Sequence, residues 1–228
     1  NVYEAALERI AYCFQEFDNV LVAFSGGKDS GVLLNLCYNY ADEHGLLDKL
    51  TMYHLDYEAQ YQMTTEYVTR TFLEQFPGIR KMWYCVPIKA QSACALGEPY
   101  WTPWDAAKKK LWVRAMPENP YVVHEGNLDV PFRHGMVDYE FQDKLSRHFA
   151  KKRGTTAVMV GLRADESLNR YAAVARGKKR RSYEGRKWIT QTSAVTANVY
   201  PLYDWRVSDI WTATARFGFD YNRLYDLL

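Results

Sequence analysis

The chain has 228 residues, 48% of them hydrophobic and 25% charged, a balance that excludes a disordered tail, a collagen and a coiled coil. It is long enough to bury a core without disulfide staples. Lys plus Arg total 29 and Asp plus Glu total 27, so the net charge of +2 gives no whole-molecule argument for a nucleic-acid or membrane-surface protein.

In chain order, Ala6, Leu7, Ile10, Phe14 and Phe17 have the spacing of an amphipathic helix over 3–17. The continuous apolar run Val20 to Phe24 reads as a buried parallel strand. It leads into Ser25-Gly26-Gly27-Lys28-Asp29-Ser30, and a second helix follows, ending near Gly45. Leu50 to Leu55 reads as the second strand, 62–76 as a helix closed by Pro77-Gly78, and Lys81 to Val86 as the third strand. This alternation predicts an α/β fold with a parallel sheet.

The rhythm breaks over 87–135, where six prolines and three tryptophans fall. This stretch reads as an insertion, a cap on the ligand edge of the sheet. A helix is predicted at 137–152, a fourth strand at Thr156 to Val160, a fifth at Asn198 to Leu202, and a last helix at 206–217. The expectation is one domain over 1–228. The chain starts at Asn1 rather than Met and stops in the apolar pair Leu227-Leu228, which reads as a trimmed C-terminal region.

Cys13, Cys37, Cys85 and Cys94 form no CxxC pair and no zinc spacing with histidine. Cys13 and Cys37 fall in apolar helical patterns and read as reduced core thiols, and burial is also the reading preferred for Cys85 and Cys94. His124, His134 and His148 are scattered without metal spacing. No apolar run reaches membrane-spanning length and no signal peptide is visible, so a cytoplasmic protein without membrane contact is expected.

Ser25 to Ser30 carries the strongest chemistry. Glycines let the backbone turn and approach a ligand closely. A helix N-terminus offers unpaired N–H groups and a positive dipole end to a phosphate. Ser25 and Ser30 add hydroxyls, and Lys28 adds charge. The string is neither a Walker A loop nor a dinucleotide fingerprint. The second signal, Gly161-Leu162-Arg163-Ala164-Asp165-Glu166-Ser167 with Arg170, follows a predicted strand end, where ligands bind in open α/β sheets. Arg163 there has the fork geometry to grip a phosphate or sulfate. The third is Asn198-Val199-Tyr200-Pro201-Leu202 with Asp204-Trp205 and Asp209-Ile210-Trp211, read as a strand leading into a helix.

The first string matches the SGGxDS PP-loop of the N-type ATP pyrophosphatases. The second resembles the G-x-R-x-x-E-S-x-x-R element of phosphoadenosine phosphosulfate (PAPS) reductases, with a similar element in sulfate adenylyltransferase small subunits. The third resembles the NV-x-PL-x-x-W-x-x-x-DIW stretch of both, and Tyr221-Asn222-x-Leu224-Tyr225 the YN-x-LY that follows it. Together they identify the chain as a member of the PAPS reductase-like superfamily.

The resemblance implies an adenine nucleotide alpha hydrolase-like, Rossmann-like sandwich of about five mostly parallel strands. It implies ATP with Mg²⁺ as ligands, cleaved between the α and β phosphates to adenylylate an unidentified acceptor. Lys28, Asp29 and Arg163 are the expected catalytic groups, and Asp29 the expected Mg²⁺ ligand. Nucleotide contacts are expected from Ser25, Gly26, Gly27, Ser30, Gly161 and Arg170. Adenosine is expected beside Ala23, Phe24, Leu55 and Asp56, although Leu55-Asp56-Tyr57 departs from the "VDT" of relatives.

A PAPS-using reductase or sulfotransferase, and an ATP-binding regulatory module, are the alternatives. The former needs a catalytic cysteine in an ECG-type tail. The insertion and Trp101-Thr102-Pro103-Trp104-Asp105 look more like the bacterial group of immunoglobulin-binding-regulator-A type, which implies a ParB-like partner. Arg176, Lys178, Lys179, Arg180, Arg181, Arg186 and Lys187 form a basic segment. It reads as a solvated loop, a flap over phosphates, or, ranked last, a nucleic-acid contact in which Tyr183 and Trp188 stack on bases.

Overall fold

The computed structural model describes residues 1–92, 97–168, 170–171 and 182–227. Helix α1 (Val2–Glu16) opens with a capping box, in which the Asn1 side chain accepts from the Glu4 amide and Glu4 reaches back to the Asn1 amine. Its apolar face buries Ala6, Ile10, Cys13 and Phe14. Strand β1 (Asn19–Ala23) is central and is followed by α2 (Lys28–Glu43), β2 (Leu50–Leu55), α3 (Gln62–Glu74) and β3 (Arg80–Cys85). Helix α4 (Asp138–Arg153) carries Asp138 and Glu140 in its first turn and Lys151, Lys152 and Arg153 in its last, which suits the helix dipole. Next come β7 (Thr156–Val160) and, later, β10 (Thr196–Val199) and α5 (Val207–Phe217).

The insertion is built into the edge of the sheet. It contributes the small hairpin β4 (Ala90–Gln91) and β5 (Tyr100–Trp101) and then β6 (Val122–His124), which joins the main sheet beside β3. Among the described residues the sheet has eight strands, where about five are expected from the sequence, in the order β6-β3-β2-β1-β7-β10-β9-β8. The first six run parallel. Strands β9 (Arg186–Gln191) and β8 (Ser182–Tyr183) add antiparallel at the far edge. The three additional strands are short or charged, and the fifth expected strand ends before Pro201, which has no N–H to give a ladder.

The basic segment divides accordingly. Arg176 to Arg181 and Cys94 lie outside the described residues. Arg186 pairs with Glu184 at 2.6 Å and lies over the Tyr12 ring. Tyr183 donates to Glu16, and Trp188 packs edge-on against Tyr12. These two aromatics are committed to α1 instead of offering faces to bases.

One face of the sheet packs Val20, Val22, Met52 and Met159 against α1, α2, α3 and α5. The other packs Leu21, Tyr53, Tyr84 and Val158 against α4, through Phe141 and Leu145, and against Ile88, Val130 and Met136 from the stretch before it. Cys13, Cys37 and Cys85 are buried free thiols, and burial pushes their pKa values up. Among the described residues no helix is long and apolar enough to cross a membrane.

Candidate functional site

From β1 the chain builds outward through β2, β3 and β6, then returns to the opposite flank of β1 with β7. The β1/β7 junction is therefore the topological switch point, where an open parallel sheet leaves a crevice at its carboxyl edge. Ser25 to Ser30 follows β1, and Gly161 to Ser167 follows β7. The fold thus brings the two strongest sequence motifs to one place.

They touch through backbone. A Cβ at Gly161 would stand 2.9 Å from the Ser30 amide nitrogen and 3.0 Å from the Asp29 carbonyl carbon, so only glycine permits this approach. Gly26 has φ +79°, and a Cβ there would meet Val68 at 2.8 Å. The serine hydroxyls close the loop. Ser30 Oγ accepts from the Ser25 amide at 3.2 Å, donates to the Gly27 carbonyl at 3.1 Å and meets Ser25 Oγ at 2.9 Å. Gly27 caps α2 with no side-chain bond, which leaves the amides of Lys28, Asp29 and Ser30 without intrahelical acceptors at the positive end of a 16-residue helix.

A cleft of about 340 Å³ opens above this loop. The loop supplies Ser25, Gly27, Lys28, Asp29 and Ser30 to its lining, and the segment after β7 supplies Gly161, Glu166 and Arg170. The strand ends and α4 supply Ala23, Phe24, Tyr53, Leu55, Tyr57, Gln142 and Val160. The lining thus joins helix amides and two ion pairs, Lys28–Asp29 and Arg170–Glu166, to an aromatic and uncharged set.

Three expected residues sit elsewhere. Gly26 lies behind the loop, its carbonyl accepting from Asn222 Nδ2 at 3.0 Å. Arg163 does not face the cleft: its guanidinium is buried and donates to Asp29, with Asp165 at 3.6 Å. A desolvated guanidinium must be paired, and Asp29 is the partner in reach. Arg163 therefore positions Asp29, and the cations on the wall are Lys28 and Arg170. Lys28 Nζ lies 3.0 Å from Asp29, and Arg170 lies 3.2 Å from Glu166.

Asp56 also leaves the expected adenosine pocket. It is fully buried; one carboxylate oxygen accepts from Trp83 Nε1 at 2.7 Å, the other from Arg114 at 2.5 Å and the Glu58 amide at 2.7 Å. Its carbonyl accepts from Trp104 Nε1. Glu58, held at φ +64°, accepts from the amides of Trp104 and Val113. This network fastens the insertion to the end of β2.

The C-terminal strap is the feature that residue-type reasoning missed. Asn222 bridges Gly26 and Thr64, and the Lys28 ammonium sits 4.9 Å from the centre of the Tyr225 ring, which lines the cleft. The YN-x-LY string was the available signal.

His54 lies below the cleft floor, buried, with Nδ1 at 2.8 Å from the Phe24 carbonyl. A carbonyl only accepts, so Nδ1 carries the proton, and Nε2 has no hydrogen-bond partner. Burial lowers its pKa, outweighing the opposing pull of Asp56. Below the unfolded value of about 6.5 the unfolded chain takes up a proton that the folded chain refuses. Stability is therefore expected to fall as pH drops from 6.5 to 5, by up to about 1.4 kcal/mol per pH unit. Urea unfolding at stepped pH checks this, and His54→Asn should remove this part of the slope.

A family model described as phosphoadenosine phosphosulfate reductase domain matches residues 19–227. Uncharacterized protein YbdN of Escherichia coli (strain K12) is 33% identical over 231 residues, covering 100% of this chain and 55% of that protein. The chain thus spans about half the length of this curated relative. A PAPS reductase from Candida auris, solved as a phosphate complex, superposes with a TM-score of 0.52 at 16% identity, covering 97% of this chain and 84% of that one. FMN adenylyltransferase from Candida glabrata gives 0.54 at 14% identity, covering 98% and 58%. Its complex with ATP gives 0.52 at 14% identity, covering 98% and 56%. These structural likenesses bear on the fold: an α/β architecture with a mainly parallel central sheet flanked by helices.

Proposed function

The chain belongs to the phosphoadenosine phosphosulfate reductase domain family, and on that footing we propose that its cleft binds ATP with Mg²⁺ and transfers the adenylyl group to an acceptor. The observation that carries this reading is a lining that joins the amides and cations of the loop to an aromatic, uncharged set from the strand ends. The aromatic set suits adenosine, and the loop suits a triphosphate. In the reaction an acceptor oxygen bonds to the α-phosphorus as the bond from that phosphorus to the bridging oxygen breaks. The electron pair leaves with pyrophosphate, and the acceptor's proton passes to water. The α2 amides and Lys28 hold the departing charge, and Arg170 reaches the phosphates from the β7 side. Geometry and charge carry the rate, with no covalent nucleophile from the chain.

Among the described residues no group of three or more His, Cys, Asp or Glu is placed to hold a metal. Mg²⁺ would therefore rest on phosphate oxygens with Asp29 or Glu166, a hard-oxygen set that fits it. When bound, it supplies charge neutralisation at the phosphates. The described cysteines are buried with raised pKa values and none lines the cleft, which weighs against thiol chemistry by them. The immunoglobulin-binding-regulator-A type subgroup rests on the insertion and its Trp101-Thr102-Pro103-Trp104-Asp105 string, and a ParB-like partner belongs to the same reading.

Competitive equilibrium binding of ATP·Mg²⁺ against PAPS tests the ligand. ATP is expected to win, and Lys28→Ala to weaken it by roughly tenfold or more, the scale of one charge-assisted phosphate contact. Preference for PAPS would replace this reading with the sulfonucleotide one.

A further inference from the structure

A second cleft, of about 380 Å³, opens on the α4 face of the sheet. It shares Tyr53, Gln142 and Val160 with the nucleotide cleft, so the two adjoin across a common wall. That wall is braced by Tyr53 donating to Gln142 at 3.0 Å. Helix α4 packs on this face over β1, β7 and β10, and β10 carries Asn198 into the lining.

Its chemistry differs from that of the first cleft. The walls include Ser146, Thr192, Asn198 and Tyr200, with the largely exposed Tyr139 at the rim. The charged lining residue, Asp143, is neutralised by Arg147 at 2.7 Å, and Arg147 also donates to the Thr192 carbonyl. Among the described residues no cation lines this wall to hold sulfate, phosphate or carboxylate. Its hydroxyls and amides are equally unsuited to packing an apolar helix, whose face would strip water from them without returning hydrogen bonds. Tyrosine faces with hydroxyl and amide groups suit a ring that both stacks and hydrogen-bonds.

The geometry points to this second cleft as the acceptor subsite, taking an uncharged, hydroxyl-bearing ring compound of nucleoside type that reaches past Val160 toward the α-phosphate. The assignment rests on the adenylyl-transfer reading above.

The test saturates the nucleotide cleft of the whole chain with α,β-methylene-ATP and Mg²⁺. It then titrates uridine, with inorganic sulfate as the anionic comparator, by ligand-observed NMR. Uridine should bind the loaded protein, and Tyr139→Ala and Asn198→Leu should each weaken it at least fivefold. Tyr139 is exposed, so its variant has little fold to lose. Uridine that does not bind, that binds both variants as it binds the parent, or that is displaced by sulfate overturns the proposal. Failure of the parent reading has its own readout, the absence of α,β-methylene-ATP binding in the first step.

Discussion

Asp56→Ala is expected to cost about 3–5 kcal/mol of stability, the range for breaking a buried ion pair from one side. The carboxylate is fully buried and accepts from Trp83, Arg114 and the Glu58 amide. Alanine leaves the Trp83 indole N–H without its acceptor and the Arg114 guanidinium with the Glu58 carbonyl in place of a carboxylate, and frees the hinge between β2 and the insertion. At roughly 2–4 °C per kcal/mol for a domain of this size, the melting temperature should fall by on the order of 10 °C. Asp56→Asn keeps the shape and should lose less, because its amide oxygen still accepts. Thermal denaturation of both variants checks the order. An Asp56→Ala protein that melts with the parent would mean that the insertion is held elsewhere, for example by Glu58 and the Trp104 and Val113 amides.

Arg163→Met is the second. Methionine fills much of the space but removes one of the two cations on Asp29, leaving Lys28 at 3.0 Å, and a loss of about 1.5–3 kcal/mol is expected. The partner being removed is a buried guanidinium. The double variant Arg163→Met/Asp29→Asn removes both charges and should recover a large part of the loss, since replacing a pair together is far milder than orphaning one member. A double-mutant cycle by chemical denaturation measures the coupling. Additive losses would show that Arg163 is not acting through Asp29. Nucleotide affinity should fall in both variants, because Asp29 sits in the first turn of α2, where the phosphate amides are.

The two predictions explain why function and stability are close neighbours at this sheet edge. Asp29 and Asp56 each follow a strand end, and each looks like a ligand-facing carboxylate in the sequence. Only one lines the cleft. The difference lies in the partners that arrive from far along the chain: Arg163 for Asp29, Arg114 and Trp104 for Asp56.

By itself the sequence determined the α/β class, the central strands β1, β2, β3 and β7, the helices between them and the two motif loops. These are local patterns: apolar runs, helical spacing and glycine turns are written in neighbouring residues. The tertiary structure alone decided the three additional strands. β6 is three residues in a proline-rich stretch, and β9 carries its charges on a six-residue strand whose pairing comes from β10. It also decided that Ser25 and Ser30 brace the loop, that Tyr225 stands under Lys28, and that Arg163 turns inward. A side chain's partner is set by which elements meet in space, and a buried charge takes the nearest opposite one. Residue type and spacing therefore mark where the chemistry gathers, and packing decides which of the gathered groups face the ligand.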